Sequence, residues 1–110
     1  MEFHGIDLNK NMSRLRKLKP DMFNAFVNFE QTVFKDGALS AKIKELMAIT
    51  AAHVTQCPWC IDFHVTRAKD KGATDEEIAE AVFVAMEMCA GAAWACGAVA
   101  MNTAEEHSHK

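Results

Sequence analysis

Apolar residues recur every three or four positions through most of this chain, and no stretch alternates with period two for long, so the pattern predicts helices and an all-helical fold. Residues 1–11 carry no such stripe and are expected to be a loose lead-in. Met12 to Leu18 has the length of a short helix, which must end before Pro20 because the residue preceding a proline is steered away from helical angles. Pro20 suits the first turn of the next helix, with Asp21 near its positive end, and Met22, Phe23, Phe26, Val27, Phe29, Val33 and Phe34 form the apolar stripe. Lys35-Asp36-Gly37 stops it, with Gly37 suited to a left-handed cap. Ser40 is an N-cap for a helix over about Ala41 to Val54, with Ile43, Leu46, Met47 and Val54 as expected core contacts and Glu45 inside it.

Pro58 has no backbone N–H to lose at a first helical position, which places Cys57 at the N-cap and Cys60 in the first turn of a helix running to about Lys71 and ended by Gly72. Thr74 with Glu77 reads as a capping box. It opens a long helical stretch through Ile78, Val82, Phe83, Val84, Met86 and Met88 toward Met101, with Gly91 or Gly97 as candidate breaks.

Composition narrows the class. With 110 residues, 50% hydrophobic and 25% charged, the chain matches a single globular domain over 1–110 without internal repeats. A net charge of −3 and one short basic run, Arg14 to Lys19, read as solvated surface and favour neither a nucleic-acid nor a membrane partner. The first residues lack the apolar segment of a signal peptide, and the longest weakly polar run, Met88 to Met101, is shorter than the roughly 20 residues a membrane span needs, so a cytoplasmic location is expected. Four cysteines in that setting argue for redox or metal chemistry rather than a disulfide scaffold.

The candidate chemistry lies in Cys57-Pro58-Trp59-Cys60-Ile61-Asp62-Phe63-His64. Residues four apart on a helix share a face, so His64 is within reach of the Cys60 sulfur. A thioredoxin-like site would follow a strand, and a c-type haem site would need histidine where Ile61 stands, so both fail. Structural zinc, held by Cys57, Cys60 and His64 with His53, Cys89 or Cys96 as a distant fourth ligand, is an alternative, although such sites usually come from two paired clusters. Two buried packing cysteines are another, but burial alone does not explain a proline-started helix with a histidine one turn on. Dithiol redox chemistry fits better, because a helix N-terminus stabilises a thiolate and the two thiols can close a small ring. Helix position names Cys57 the more acidic thiol and proximity to His64 names Cys60, which leaves their roles open.

These residues resemble the alkylhydroperoxidase D-like group of the carboxymuconolactone decarboxylase superfamily. The match covers about Gly37 to Ala90 and includes Gly-x-Leu-Ser at Gly37 to Ser40, Lys44-Glu45-Leu46, and Glu45 twelve residues before Cys57. The resemblance implies an all-helical bundle assembled as a homo-oligomer, commonly a trimer or hexamer. It also implies a relay in which Glu45 orients and charges His64, which helps deprotonate Cys60. By that resemblance Cys60 attacks a hydroperoxide and becomes a sulfenic acid, and Cys57 condenses with it to a disulfide. No cofactor is then bound, and an external dithiol donor, a lipoyl group in alkylhydroperoxidase D itself, reduces the pair. Trp59 departs from that protein, which has a second histidine between its cysteines. Tryptophan cannot shuttle a proton, so disulfide exchange stands beside peroxide reduction as an expected activity. The superfamily's decarboxylases lack the cysteine pair, which makes lactone decarboxylation, or a lyase-like role without peroxidase activity, the poorer fit.

The remaining residues invite blander readings. His53 is expected to complement a helix end, His107 and His109 to lie in a mobile tail, and Asp62 to be solvated. Cys89 and Cys96, seven apart, would lie about 10 Å apart along a helix, too far for a mutual disulfide, and read as small packing residues. The small-residue run Ala90 to Ala98, anchored by Trp94, suits a subunit interface better than a phosphate loop, since it lacks the strand and Lys-Ser/Thr pair of one.

Overall fold

The computed structural model describes residues 2–108, so Met1 and the expected tail residue His109 lie outside the described residues. The helices are α1 (Leu8–Leu18), α2 (Pro20–Val33), α3 (Ala41–Thr55), α4 (Pro58–Asp70) and α5 (Asp75–Glu106). The all-helical expectation holds apart from one small hairpin in which β1 (Glu2–Phe3) pairs antiparallel with β2 (Ile6–Asp7). His4 and Gly5 turn it with φ of 54 and 73. Two residues per strand are too few to register as a period, which is why the lead-in reads as loose. It is built instead, and α1 begins at Leu8 because the Asp7 side chain caps it, accepting the Lys10 N–H at 3.0 Å.

Most helix ends follow from the cap residues. Ser40 accepts the Ile43 N–H at 3.2 Å. Thr74 and Glu77 bond reciprocally: the Glu77 N–H donates to Thr74 Oγ1 at 3.1 Å, and the Thr74 N–H to Glu77 Oε1 at 2.9 Å. Gly72 ends α4 region at φ 88, where a side chain would be strained. Gly37 is not in the left-handed region; α2 closes at Phe34, and Lys44 Nζ donates to the Val33 and Lys35 carbonyls at 2.8 and 2.6 Å, taking up the carbonyls a cap glycine would serve. Neither Gly91 nor Gly97 breaks α5, since each costs only about 1 kcal/mol relative to alanine and the flanking residues are strong helix formers.

The core lies where α3 packs against α4 and α5. Ile49 is fully buried among Ala68, Ala73 and Ala81, with Leu46, Val65, Ile78 and Val82 packed around them. The small alanines allow the close approach, and Thr50 Oγ1 ties the pair by donating to the Ala81 carbonyl at 2.9 Å. The buried face of α3 is therefore Ala41, Glu45, Ile49 and Ala52, and not the expected Ile43, Met47 and Val54, which are exposed. Those three belong to a second apolar face that is about half exposed.

Outside this core the molecule is open, and it extends 61 × 35 × 30 Å. The α1–α2 pair exposes Met22, Phe26 and Phe29, and the far half of α5 exposes Val99, Met101 and Trp94, the last at 85%. An 18-residue window of α5 has a mean hydropathy of 1.7. Since no glycine breaks the helix, it is long and apolar enough by length and composition to cross a membrane, which corrects the expectation drawn from residues 88–101 alone.

Candidate active site

Only Gln56 and Cys57 separate α3 from α4. Gln56 takes the left-handed conformation, with φ 56 and ψ 52, and the Cys57 N–H returns to the Ala52 carbonyl at 3.1 Å. Pro58 at once starts α4, so the chain reverses and lays α4 along α3. This reversal brings Glu45 and His64 together across nineteen residues, with His64 Nδ1 2.8 Å from Glu45 Oε2. Against a carboxylate, Nδ1 is the donor, which leaves Nε2 as the nitrogen able to accept a proton.

Glu45 is 1% exposed, and a charge so buried needs partners. Its second oxygen supplies the other half of the arrangement: Arg67 Nε lies 3.0 Å from Oε1, an ion pair by distance although not aligned as a hydrogen bond. The far end of the Arg67 guanidinium pairs with Glu30 of α2. Phe34 and Phe63 flank the same guanidinium at 5.1 and 5.2 Å. The His64 ring stacks on Phe34 at 5.1 Å and meets Phe63 edge-on at 5.1 Å, so packing and hydrogen bonding both fix its orientation.

Cys57 and Cys60 are joined as a disulfide with their Cα atoms 5.3 Å apart. Cys57 is the N-cap, and its Sγ accepts the Cys60 N–H at 3.2 Å. The expected hydrogen bond from His64 to Cys60 is not made among the described residues, because the sulfur is committed to its partner in this oxidised form. Cys60 and His64 are instead united by a shared cleft of about 350 Å3, where Glu30 is the third polar group. Met12, Phe23, Phe26 and Val27 form one wall and Trp59 and Phe63 the other. Trp59 stacks on Phe63 at 6.2 Å, which keeps the residue between the cysteines on the cleft side.

Sequence reasoning missed Arg67 and Glu30. Arg67 stands three residues after His64 and seven after Cys60, so helical spacing alone would have placed it on the site's face. Nothing local marks Glu30, which reaches the site only because α2 packs over it. His53 Nδ1 is bonded 2.8 Å from the Ile49 carbonyl of its own helix. His107 caps α5 instead of lying in a mobile tail, with Nδ1 2.9 Å from the Thr103 carbonyl. Cys89 and Cys96 are exposed thiols and not packing residues, because α5 outruns the helix it packs on. Among the described residues no three His, Cys, Asp or Glu side chains are gathered to hold a metal.

Residues 20–103 match the carboxymuconolactone decarboxylase family. A Paracoccus denitrificans protein named uncharacterized protein 4 in cox locus is 51% identical over 83 residues, covering 76% of this chain and 75% of that one. The crystal structure of an apo carboxymuconolactone decarboxylase family protein from Legionella pneumophila is 38% identical over 74% of this chain and 73% of its own, with a TM-score of 0.71. A Thermotoga maritima protein of the same family, whose name suggests involvement in antioxidative response, is 42% identical over 56% of this chain and 64% of its own, with a TM-score of 0.55.

Proposed function

The chain belongs to the carboxymuconolactone decarboxylase family, and within it we propose that this protein is a dithiol oxidoreductase that reduces organic hydroperoxides through Cys60. The observation that carries this reading is that Cys60, disulfide-bonded to Cys57, opens onto the same apolar cleft as a histidine held by a buried carboxylate. In the reduced pair His64 takes the Cys60 proton. The thiolate attacks the terminal peroxide oxygen, the O–O bond breaks, and the departing alkoxide takes the proton from His64 to leave as alcohol. Cys57 then attacks the Cys60 sulfenic acid, water leaves, and the disulfide forms. An external dithiol returns two electrons and two protons. Glu45 holds the His64 tautomer and balances the imidazolium charge. Arg67 offsets the charge of Glu45 while the histidine is neutral.

Disulfide exchange is the second reading, favoured by Trp59, which offers no proton to a leaving alkoxide. The exposed apolar residues of α3 and α5 support assembly with further copies of this chain. The name of the Thermotoga maritima relative is consistent with peroxide chemistry.

The test is a thiol titration of the reduced protein before and after one equivalent of cumene hydroperoxide, on wild type and Cys60→Ser. The proposal expects two thiols lost per chain and a Cys57–Cys60 bond by mass spectrometry, abolished by the substitution. Thiols that resist the peroxide but yield to a small disulfide would make the protein an exchange enzyme.

A further inference from the structure

One oxygen of the buried Glu45 is answered and the other is not. Oε2 accepts from His64 Nδ1 at 2.8 Å, whereas the buried Oε1 has Arg67 Nε 3.0 Å away and no aligned donor. A buried carboxylate oxygen left in this way calls for a cause, because a guanidinium beside a carboxylate favours two parallel N–H donors, which make a shorter and stronger pair. The cause lies at the other end of the same side chain. Arg67 Nη1 donates to Glu30 Oε1, so the guanidinium is shared between a carboxylate of α2 and one of α3 and closes fully on neither.

A turn of the guanidinium toward Glu45 would reach the imidazole by two routes. Phe34 and Phe63, which flank the guanidinium at 5.1 and 5.2 Å, are the same two rings that hold His64 by stacking and by edge contact. The second route is the carboxylate itself. Gripped at both oxygens by Arg67, Glu45 would be a weaker acceptor for a third donor, since every donor draws on the same charge. His64 Nδ1–H is that third donor.

We infer that Glu30 is a positioning residue: by holding one end of Arg67 it keeps the guanidinium from closing on Glu45, and so reserves Glu45 for His64. The restraint stands on this geometry, and its consequence for peroxide chemistry rests on the redox reading above. While Nδ1 donates to Glu45, the neutral ring presents Nε2 as the acceptor for the Cys60 proton. A ring released from Glu45 populates the other tautomer, whose Nε2–H cannot accept. Glu30 also lines the cleft with Cys60 and His64, so direct action on the substrate is the rival role that the experiment has to separate.

The test reads the His64 ring directly, on the full chain in its disulfide form, from the NMR shifts of the two ring nitrogens at alkaline pH, where an imidazole is neutral. His64→Gln assigns the signals. Wild type should hold the Nδ1–H tautomer, and Glu30→Ala should move the tautomer ratio roughly tenfold toward Nε2–H, the scale of one charge-assisted hydrogen bond. The same substitution made in Arg67→Lys, whose ammonium cannot close on two oxygens, should move the ratio less than about twofold. Should Glu30→Ala fail to fold, Glu30→Gln leaves Nη1 a neutral acceptor and is expected to shift the ratio in the same direction by about threefold. In single turnovers with cumene hydroperoxide, Cys57→Ser carrying Glu30→Ala should form the Cys60 sulfenic acid roughly tenfold more slowly than Cys57→Ser alone. An unmoved tautomer ratio in Glu30→Ala or Glu30→Gln, or an equal shift in the Arg67→Lys background, would overturn the inference. So would slower oxidation with the tautomer unmoved, which would make Glu30 act on the peroxide itself. If no hydroperoxide oxidises the thiols, the redox reading falls, and the tautomer ratio still decides whether Glu30 reserves Glu45 for His64.

Discussion

The α3–α4 pair and the far half of α5 are both apolar helix, yet they end in opposite states. In the first, Ile49 is fully buried and Glu45 is 1% exposed, with its charge answered by His64 and Arg67. In the second, Trp94 is 85% exposed and the alanines around it are exposed as well. The difference lies in partners and not in hydrophobicity: α3 is met by alanines on α4 and α5, whereas α5 runs past the end of the helix it packs on. The packed region therefore sets stability and positions the chemistry. The open region adds little packing to the fold of one chain.

That contrast breaks most sharply at Glu45. Glu45→Ala would leave Arg67 and His64 facing a buried void and is expected to cost about 4 kcal/mol in urea unfolding, the scale for stripping one partner from a buried ion pair. Ile49→Ala should cost about 3 kcal/mol by the cavity it opens among Ala68, Ala73 and Ala81. Ser40→Ala, which removes the N-cap of the helix bearing Glu45, should cost about 1 kcal/mol. Trp94→Ala should change the unfolding of dilute protein by less than about 0.5 kcal/mol, while sedimentation at higher concentration shows weaker self-association. If Trp94→Ala destabilised dilute monomer as much as Ile49→Ala, the two regions would not differ as described.

The smallest effect concerns pH. The Thr74 backbone N–H, followed by Lys42, holds the Glu77 carboxyl below its ordinary value of 4.5. A carboxyl whose folded value is lowered adds stability above its unfolded value and loses it as pH falls through the folded one. Thermal melts of wild type and Glu77→Gln should thus differ at neutral pH and converge once the pH has fallen through the lowered folded value. A gap that persisted there would show that the carboxylate charge is not what the capping box uses.

How much of this was readable in the sequence depends on range. Local rules located Ser40, Cys57, Pro58 and the Thr74–Glu77 box, because a cap acts within one turn of its own helix. They failed at Gly37, where the stop is made by Lys44 reaching back nine to eleven residues, and on α3, where which apolar face is buried depends on helices elsewhere in the chain. Within the site, Glu45 and His64 were paired in advance through the family's spacing. Arg67 was legible from its place on the α4 face and went unread, and Glu30 was not legible, since only the packing of α2 over the site brings it there.

The central claim is that Cys60, primed by His64, is the sulfur that meets the peroxide. It is tested most directly by trapping the sulfenic acid with dimedone, in single turnovers with cumene hydroperoxide, in Cys57→Ser and in Cys60→Ser. The account predicts an adduct on Cys60 in the first variant, slowed roughly a hundredfold when His64→Ala is added, and none on Cys57 in the second. An adduct forming on Cys57 as fast as on Cys60, or a Cys60 adduct indifferent to His64→Ala, would contradict it.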